Sequence, residues 1–319
     1  MWDGLTNHES AFLSGRESEL CGLELRVQRY IEGRNWRYNR AASATRPWQA
    51  NPRRWRGGIA FRNDGMVNLR EGFDHSRPDF PVGTPFWESP SFRALIDACP
   101  DLGAMEKHLP TDLRTMVFEG QAEIEAVPSS YKDHGYGYLF YVLVRLLKPA
   151  RCVEFGVLHG FSLMSIAAAL RDNEHGSIQG FDLFEEYPYH HATYASVLRR
   201  IEACGLQRWA GIYPTDVWRI HQQLDLVDVL HVDISNDGNT YRRIFSHWAQ
   251  KVRQVILFEG GSAKRDRVDW MVKYGKDPIA PEIDEFRRSN PDWIVVVLEP
   301  YPSLTVAIRR GGLAGREVL

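Results

Sequence analysis

The second half of the chain alternates short apolar runs with segments of helical length. "ARCVEFG" (150–156), "SIQGFDLF" (177–184), "AGIYPTD" (210–216), "VDVLHVDI" (227–234) and "RQVILFEG" (253–260) each read as a strand. Such alternation is the pattern of βαβ units, whose parallel sheet is buried on both faces. The last two runs, "WIVVVLEPY" (293–301) and "LTVAIRR" (304–310), are separated only by Pro302-Ser303, too short for a crossover, so they must pair antiparallel. The pattern predicts an α/β fold: a doubly wound, mostly parallel seven-stranded sheet with a reversed final strand. Ahead of it, "YGYLFYVLVRLL" (136–147) is apolar almost all round and stops at Lys148-Pro149, which predicts a buried helix.

The first part of the chain has another texture. "SPSFRALIDA" (89–98) predicts a helix capped by Ser89 with Pro90 in its first turn. "GIAFRNDGMVNL" (58–69) predicts a hairpin around Asn-Asp-Gly. Residues 33–63 carry eight arginines and no acid, with Trp36, Tyr38, Trp48 and Trp55 between them. The change of texture predicts two domains, an Arg/Trp-rich α+β cap or lid over 1–125 and a Rossmann-like catalytic domain over 126–319.

Composition narrows the class. A 44% apolar and 25% charged chain of 319 residues has the balance of a globular protein, and its formal charge of −2 points to no polyanionic partner. Cys21, Cys99, Cys152 and Cys204 lie too far apart for a zinc pattern or a disulfide framework, which suits a reducing cytoplasm. The polar start "MWDGLTNHES" has no cleavable-signal pattern, and no apolar run is long enough to span a bilayer. A cytoplasmic enzyme without membrane attachment is the expectation, and a homodimer is compatible with it.

The candidate chemistry gathers at "RCVEFGVLHGFSLMS" (151–165), where a strand turns into a helix. Ligands of open α/β sheets sit at the carboxyl ends of the strands. Gly156 and Gly160 let backbone approach a ligand, Ser162 serves the helix start, and Glu154 stands beside them. Neither G-x-G-x-x-G nor G-x-x-x-x-G-K-[ST] is present, so the ligand is not expected to be held through phosphates. An acid beside a glycine turn suits a cationic ligand.

"VEFGVLHG" resembles motif I of the class I S-adenosylmethionine (SAM)-dependent methyltransferases, E/D-x-G-x-x-x-G, and the reversed last strand is shared with that superfamily. The resemblance covers roughly residues 136–310. It implies that SAM is the cofactor and that Glu154, Gly156, Gly160, Ser162, Asp182, Asp216 and Asp233 bind it. Asp182 would meet the ribose hydroxyls, Asp216 would lie near adenine, and Asp233 in "LHVDISNDG" resembles a segment of a small-molecule branch. Helix capping is the competing reading of Asp182 and Asp216. The catechol-type and cephalosporin-hydroxylase-like O-methyltransferases hold a divalent ion with carboxylates after the fourth and fifth strands. Asp233 and Glu259 match those positions, Gly260 replaces the next acid or amide, and Mg²⁺ is the metal implied if one is used. Asp233, Glu259 and His134 are the catalytic candidates, with His159, His190 and His191 as further histidines.

The resemblance implies methyl transfer to a small molecule, at oxygen, in secondary or surface-polymer metabolism. One alternative keeps SAM but closes its methionine moiety into azetidine-2-carboxylate with release of methylthioadenosine, helped by an aromatic lid. Another uses the Arg/Trp head to bind RNA. The near-neutral charge and the nearby Glu17, Glu19, Glu24 and Glu32 favour a lid over a nucleic-acid arm.

Overall fold

A computed structural model describes residues 80–312 except 82, 188 and 189, all within a compact unit spanning 67–319. The Arg/Trp-rich stretch and the 58–69 hairpin lie outside the described residues.

Helix α1 (Pro90–Ala98) begins where expected: Ser89 Oγ accepts from Phe92 N at 3.1 Å, and proline occupies the first turn. Phe92, Leu95 and Ile96 are its buried stripe. After α2 (Gln121–Glu125) comes α3 (Tyr136–Leu147), which buries nearly every residue, as an all-round apolar helix must. Tyr136 Oη donates to the Pro300 carbonyl at 2.7 Å, satisfying the one polar atom that this buried ring carries.

The sheet strands are β1 (Arg151–Phe155), β2 (Ser177–Asp182), β3 (Ala210–Pro214), β4 (Val227–Val232), β5 (Val252–Glu259), β6 (Trp293–Leu298) and β7 (Leu304–Arg309). They lie in the order β3-β2-β1-β4-β5-β7-β6. Pairs among β1 to β5 are parallel, whereas β7 runs antiparallel to both β5 and β6. This is the doubly wound sheet with one reversed strand that the apolar runs predict. The β6–β7 connection spans 299–303, longer than the two residues suggested by the sequence, because β6 ends at Leu298, three residues sooner than expected.

Helices α4 (Phe161–Asp172), α5 (Tyr194–Ala203), α6 (Gly238–Trp248), α7 (Asp269–Lys273) and α8 (Ala280–Ser289) complete the fold. Two apolar clusters lie on the two faces of the sheet. One joins α1, α3, α4 and α5 residues such as Leu95, Phe140, Ile166 and Val197; the other joins Tyr241, Phe245 and Phe286 of α6 and α8. Strand β4 at the centre is buried at every position, so its two polar members, Asp228 and His231, must be partnered inside. No described helix is long and apolar enough to cross a membrane.

Candidate active site

The strand order reverses between β1 and β4, and this switch point opens the crevice where ligands of such sheets bind. Gly156 follows β1 at φ +84°, and a Cβ there would collide with the carbonyl oxygen of Asp233 after β4. Only glycine lets the two strand ends close up in this way. Against them lies a cavity of about 430 Å³, within the usual range for small-molecule sites. Asp182, Thr215, Asp216, Trp218, Asp233 and Ser235 contribute its polar edges; Leu158, Phe181, Phe184, Tyr187, Val217 and Ile234 its apolar walls; His190 and His191 also line it. Among its described lining residues there is no lysine or arginine. A second cavity, about 310 Å³ between α6 and α8, has no strand-end residue in its lining.

Gly156, Asp182, Asp216 and Asp233 therefore meet at one cavity. Asp182 also supports the loop after β1. Its Oδ2 accepts from Val157 N (2.7 Å) and Leu158 N (3.0 Å), and its Oδ1 accepts from Phe184 N (2.8 Å). Asp216 caps the short turn Val217–Gln222 by accepting from Trp218 N at 3.0 Å, so its capping role coexists with its position in the wall. Trp218 is held from behind by Arg243, whose guanidinium carbon lies 3.7 Å from the ring centre.

Glu154, Gly160, Ser162, Glu259 and His134 are not among the lining residues. Gly160 precedes α4 at φ +87°. Glu154 is fully buried, and its Oε1 accepts from Ser162 Oγ and from His231 Nδ1 (2.8 Å). Its Oε2 has no hydrogen-bond partner. His134 is buried elsewhere, donating from Nδ1 to the Thr84 carbonyl at 2.6 Å.

Behind the cavity wall these acids join one network. Tyr131 Oη lies 3.3 Å from His231 Nε2, and the same hydroxyl lowers the pKa of Asp233. Asp233 is hydrogen-bonded in turn to Glu259. Burial, then the neighbouring Glu259 charge, pushes the Asp233 carboxyl well above the usual carboxylate range. Burial alone would raise Glu259 too, but the Asp233 hydrogen bond, the Arg265 charge and the Asn236 amide outweigh it and hold Glu259 below that range. Of the two carboxyls, Asp233 is thus the one that holds a proton more readily. Glu259 Oε2 accepts from Asn236 Nδ2 at 2.7 Å, and Oε1 faces Arg265 Nη2 at 3.4 Å. The backbone between these acids is strained: Ser235 (φ +59°) and Asn236 (φ +31°) are consecutive left-handed non-glycines.

The residues do not fit a divalent ion. Both Glu259 oxygens already face protein N–H donors, and among the described residues no group of three or more His, Cys, Asp or Glu side chains is arranged to hold a metal.

Sequence reasoning missed Tyr131, His231, Asn236, Trp218 and Arg265. His231 carried a signal, since a histidine inside an otherwise apolar central strand needs a buried partner.

Residues 153–258, the stretch running from within β1 through β2, β3 and β4 to most of β5, match a family model described as a methyltransferase domain. Over this stretch, a third of the chain, the sequence is similar to that family. No curated protein matches the chain. Solved structures with a similar fold include the O-methyltransferase from Bacillus cereus in complex with SAH, 16% identical, with 68% of this chain and 96% of that chain covered and a TM-score of 0.44. The SAH-bound methyltransferase PaMTH1 of Podospora anserina is 16% identical over 66% of this chain and 87% of its own, TM-score 0.44. The O-methyltransferase TomG of Streptomyces achromogenes, involved in tomaymycin synthesis and in complex with SAM, is 15% identical over 76% of this chain and 99% of its own, TM-score 0.42. These likenesses concern the fold. The cavity lies at the carboxyl ends of the strands that the family match spans.

Proposed function

We propose that this chain is a SAM-dependent methyltransferase acting on a small molecule, at oxygen. One observation carries the reading: within a methyltransferase domain, the switch-point cavity presents Asp182, Asp216 and Asp233 and, among its described lining residues, no basic side chain. Such a wall favours a cationic nucleoside and repels phosphate-bearing ligands. When bound, SAM supplies an activated methyl group on a sulfonium whose leaving group is a neutral thioether, so the protein's main task is positioning.

The chain's own residues divide that task. Gly156 keeps the crevice free of a side chain. Asp182, whose Oδ1 accepts from Phe184 N, has capacity left for the ribose hydroxyls, while Asp216 and Trp218 flank the base. Asp233 borders the amino-acid tail. Glu154, Gly160 and Ser162 hold the loop and helix that shape the crevice, and Glu259 acts through Asp233. His190 and His191 line the mouth, and imidazoles are suited to take a proton from an acceptor hydroxyl near neutral pH. His134, tied to Thr84, contributes to the scaffold. The unpaired thiols of Cys99, Cys152 and Cys204 agree with a reducing compartment such as the cytoplasm.

The test is incubation with methyl-labelled SAM and a panel of hydroxylated small molecules. The expected outcome is label in one acceptor with an equal amount of S-adenosylhomocysteine (SAH). Methylthioadenosine released without any acceptor would replace this reading by ring closure of the cofactor. Label appearing only in RNA would replace the small-molecule acceptor.

A further inference from the structure

Asp233 and Glu259 extend the paired strands β4 and β5, whose last paired residues are Val232 and Phe258. Glu259 is buried, Asp233 is half-buried at the edge of the cavity, and each carboxyl bears on the ionisation of the other. Two such acids side by side call for a positive charge close by. That charge is Arg265, with its side chain 3% exposed against 8% for Glu259. The turn after β5 delivers it. Gly260 and Gly261 take φ of +90° and +103°, and Ser262 Oγ then accepts from Arg265 N at 3.1 Å. The guanidinium carbon lies 5.7 Å from the Tyr301 ring centre.

We propose that Arg265 is a built-in cation standing where a divalent ion would otherwise bridge Asp233 and Glu259, so that this methyltransferase site neither needs nor admits a metal. The proposal rests on the reading of the neighbouring cavity as the methyl-transfer site. A guanidinium suits the place because it does not lose its proton and donates along fixed directions. A small divalent ion, in contrast, needs open carboxylate oxygens and room for its waters, and both Glu259 oxygens are already directed at N–H groups. Gly260, next to Glu259 in the chain, offers no ligating side chain. Its left-handed backbone disfavours one, and a Cβ would come within 3.1 Å of Ile279 Cδ1. Arg265 acts through Glu259 and is therefore a positioning residue. An acceptor bound here is oriented by side chains and not by chelation.

Titration of the full chain with Mn²⁺, followed by the spin-resonance signal of the free ion, reads cation occupancy without cofactor or acceptor. Its failure is thus distinguishable from a failure to bind SAM. The wild-type chain should bind no Mn²⁺ saturably. Arg265→Gln should gain a site at least about tenfold tighter than any in the wild type, a difference of ~1.4 kcal/mol, and Glu259→Gln added to it should abolish that site. Arg265→Lys, which keeps the charge, should bind none. A saturable wild-type site lost in Glu259→Gln overturns the proposal, as does a folded Arg265→Gln that binds no Mn²⁺. If Arg265→Gln fails to fold, calorimetry of SAH on the wild type decides. An affinity unchanged between EDTA and Mg²⁺ supports the built-in cation, and a Mg²⁺-dependent affinity overturns it.

Discussion

The two rims of the sheet treat buried carboxylates in opposite ways. At the amino-terminal rim, Asp228 accepts from Ala150 N (2.8 Å) and Arg151 N (2.9 Å) on Oδ2 and pairs with Arg253 at 2.8 Å on Oδ1. One acid there has three donors, and it ties β4 to the start of β1. At the carboxyl rim, three acids crowd together. Burial and the Glu259 charge push the Asp233 carboxyl up, Glu154 Oε2 has no partner, and Ser235 and Asn236 hold a strained turn. The first arrangement is what burial demands for stability. The second is tolerated where backbone and charge serve a ligand.

The largest expected effect comes from closing the crevice itself. Gly156→Ala sets a Cβ against the Asp233 carbonyl at a φ that alanine disfavours. It should cost on the order of 3 kcal/mol and abolish SAH binding, read by thermal unfolding and calorimetry. Next is Asp228→Ala, which strands two backbone N–H groups and Arg253. A loss of ~1–3 kcal/mol with SAH affinity unchanged is expected. Loss of SAH binding in this folded variant would erase the contrast between the rims.

The smallest effect has the opposite sign. Because the fold raises the Asp233 carboxyl above its unfolded value, the native state holds a proton that the unfolded chain releases above about pH 4. Stability from this group is therefore full below that pH and declines as pH rises toward the folded value. Asp233→Asn, which keeps a donor for Glu259 and cannot ionise, should unfold at a higher temperature than the wild type, with the gap widening from pH ~5 to pH ~8. A gap that is constant or that shrinks with pH would show that the two acids do not share a proton.

The fold was legible because its signal is local. Strands buried on both faces must be continuous apolar runs, and every such run became a strand with ends displaced by at most three residues. The helix over 136–147 was legible for the same reason. The acids that end strands, Asp182, Asp216 and Asp233, could be found because a charge after an apolar run has few places to go except a rim. What stayed hidden depends on distant partners. His231 reaches Glu154 across paired strands, Tyr131 comes from a short 3-10 helix before α3, and nothing in "GGSAKRDR" says which basic residue turns inward. His134 drew attention by its nearness to a buried helix, yet its partner is a carbonyl fifty positions away.

The account stands most directly on where the nucleoside sits, and a crystal structure of the full chain with SAH measures that. The predicted result is SAH in the cavity between Gly156, Asp182 and Asp233, with its ribose hydroxyls within hydrogen-bonding distance of Asp182. SAH bound at another surface, or side chains filling this cavity in crystals soaked to saturation, would contradict it.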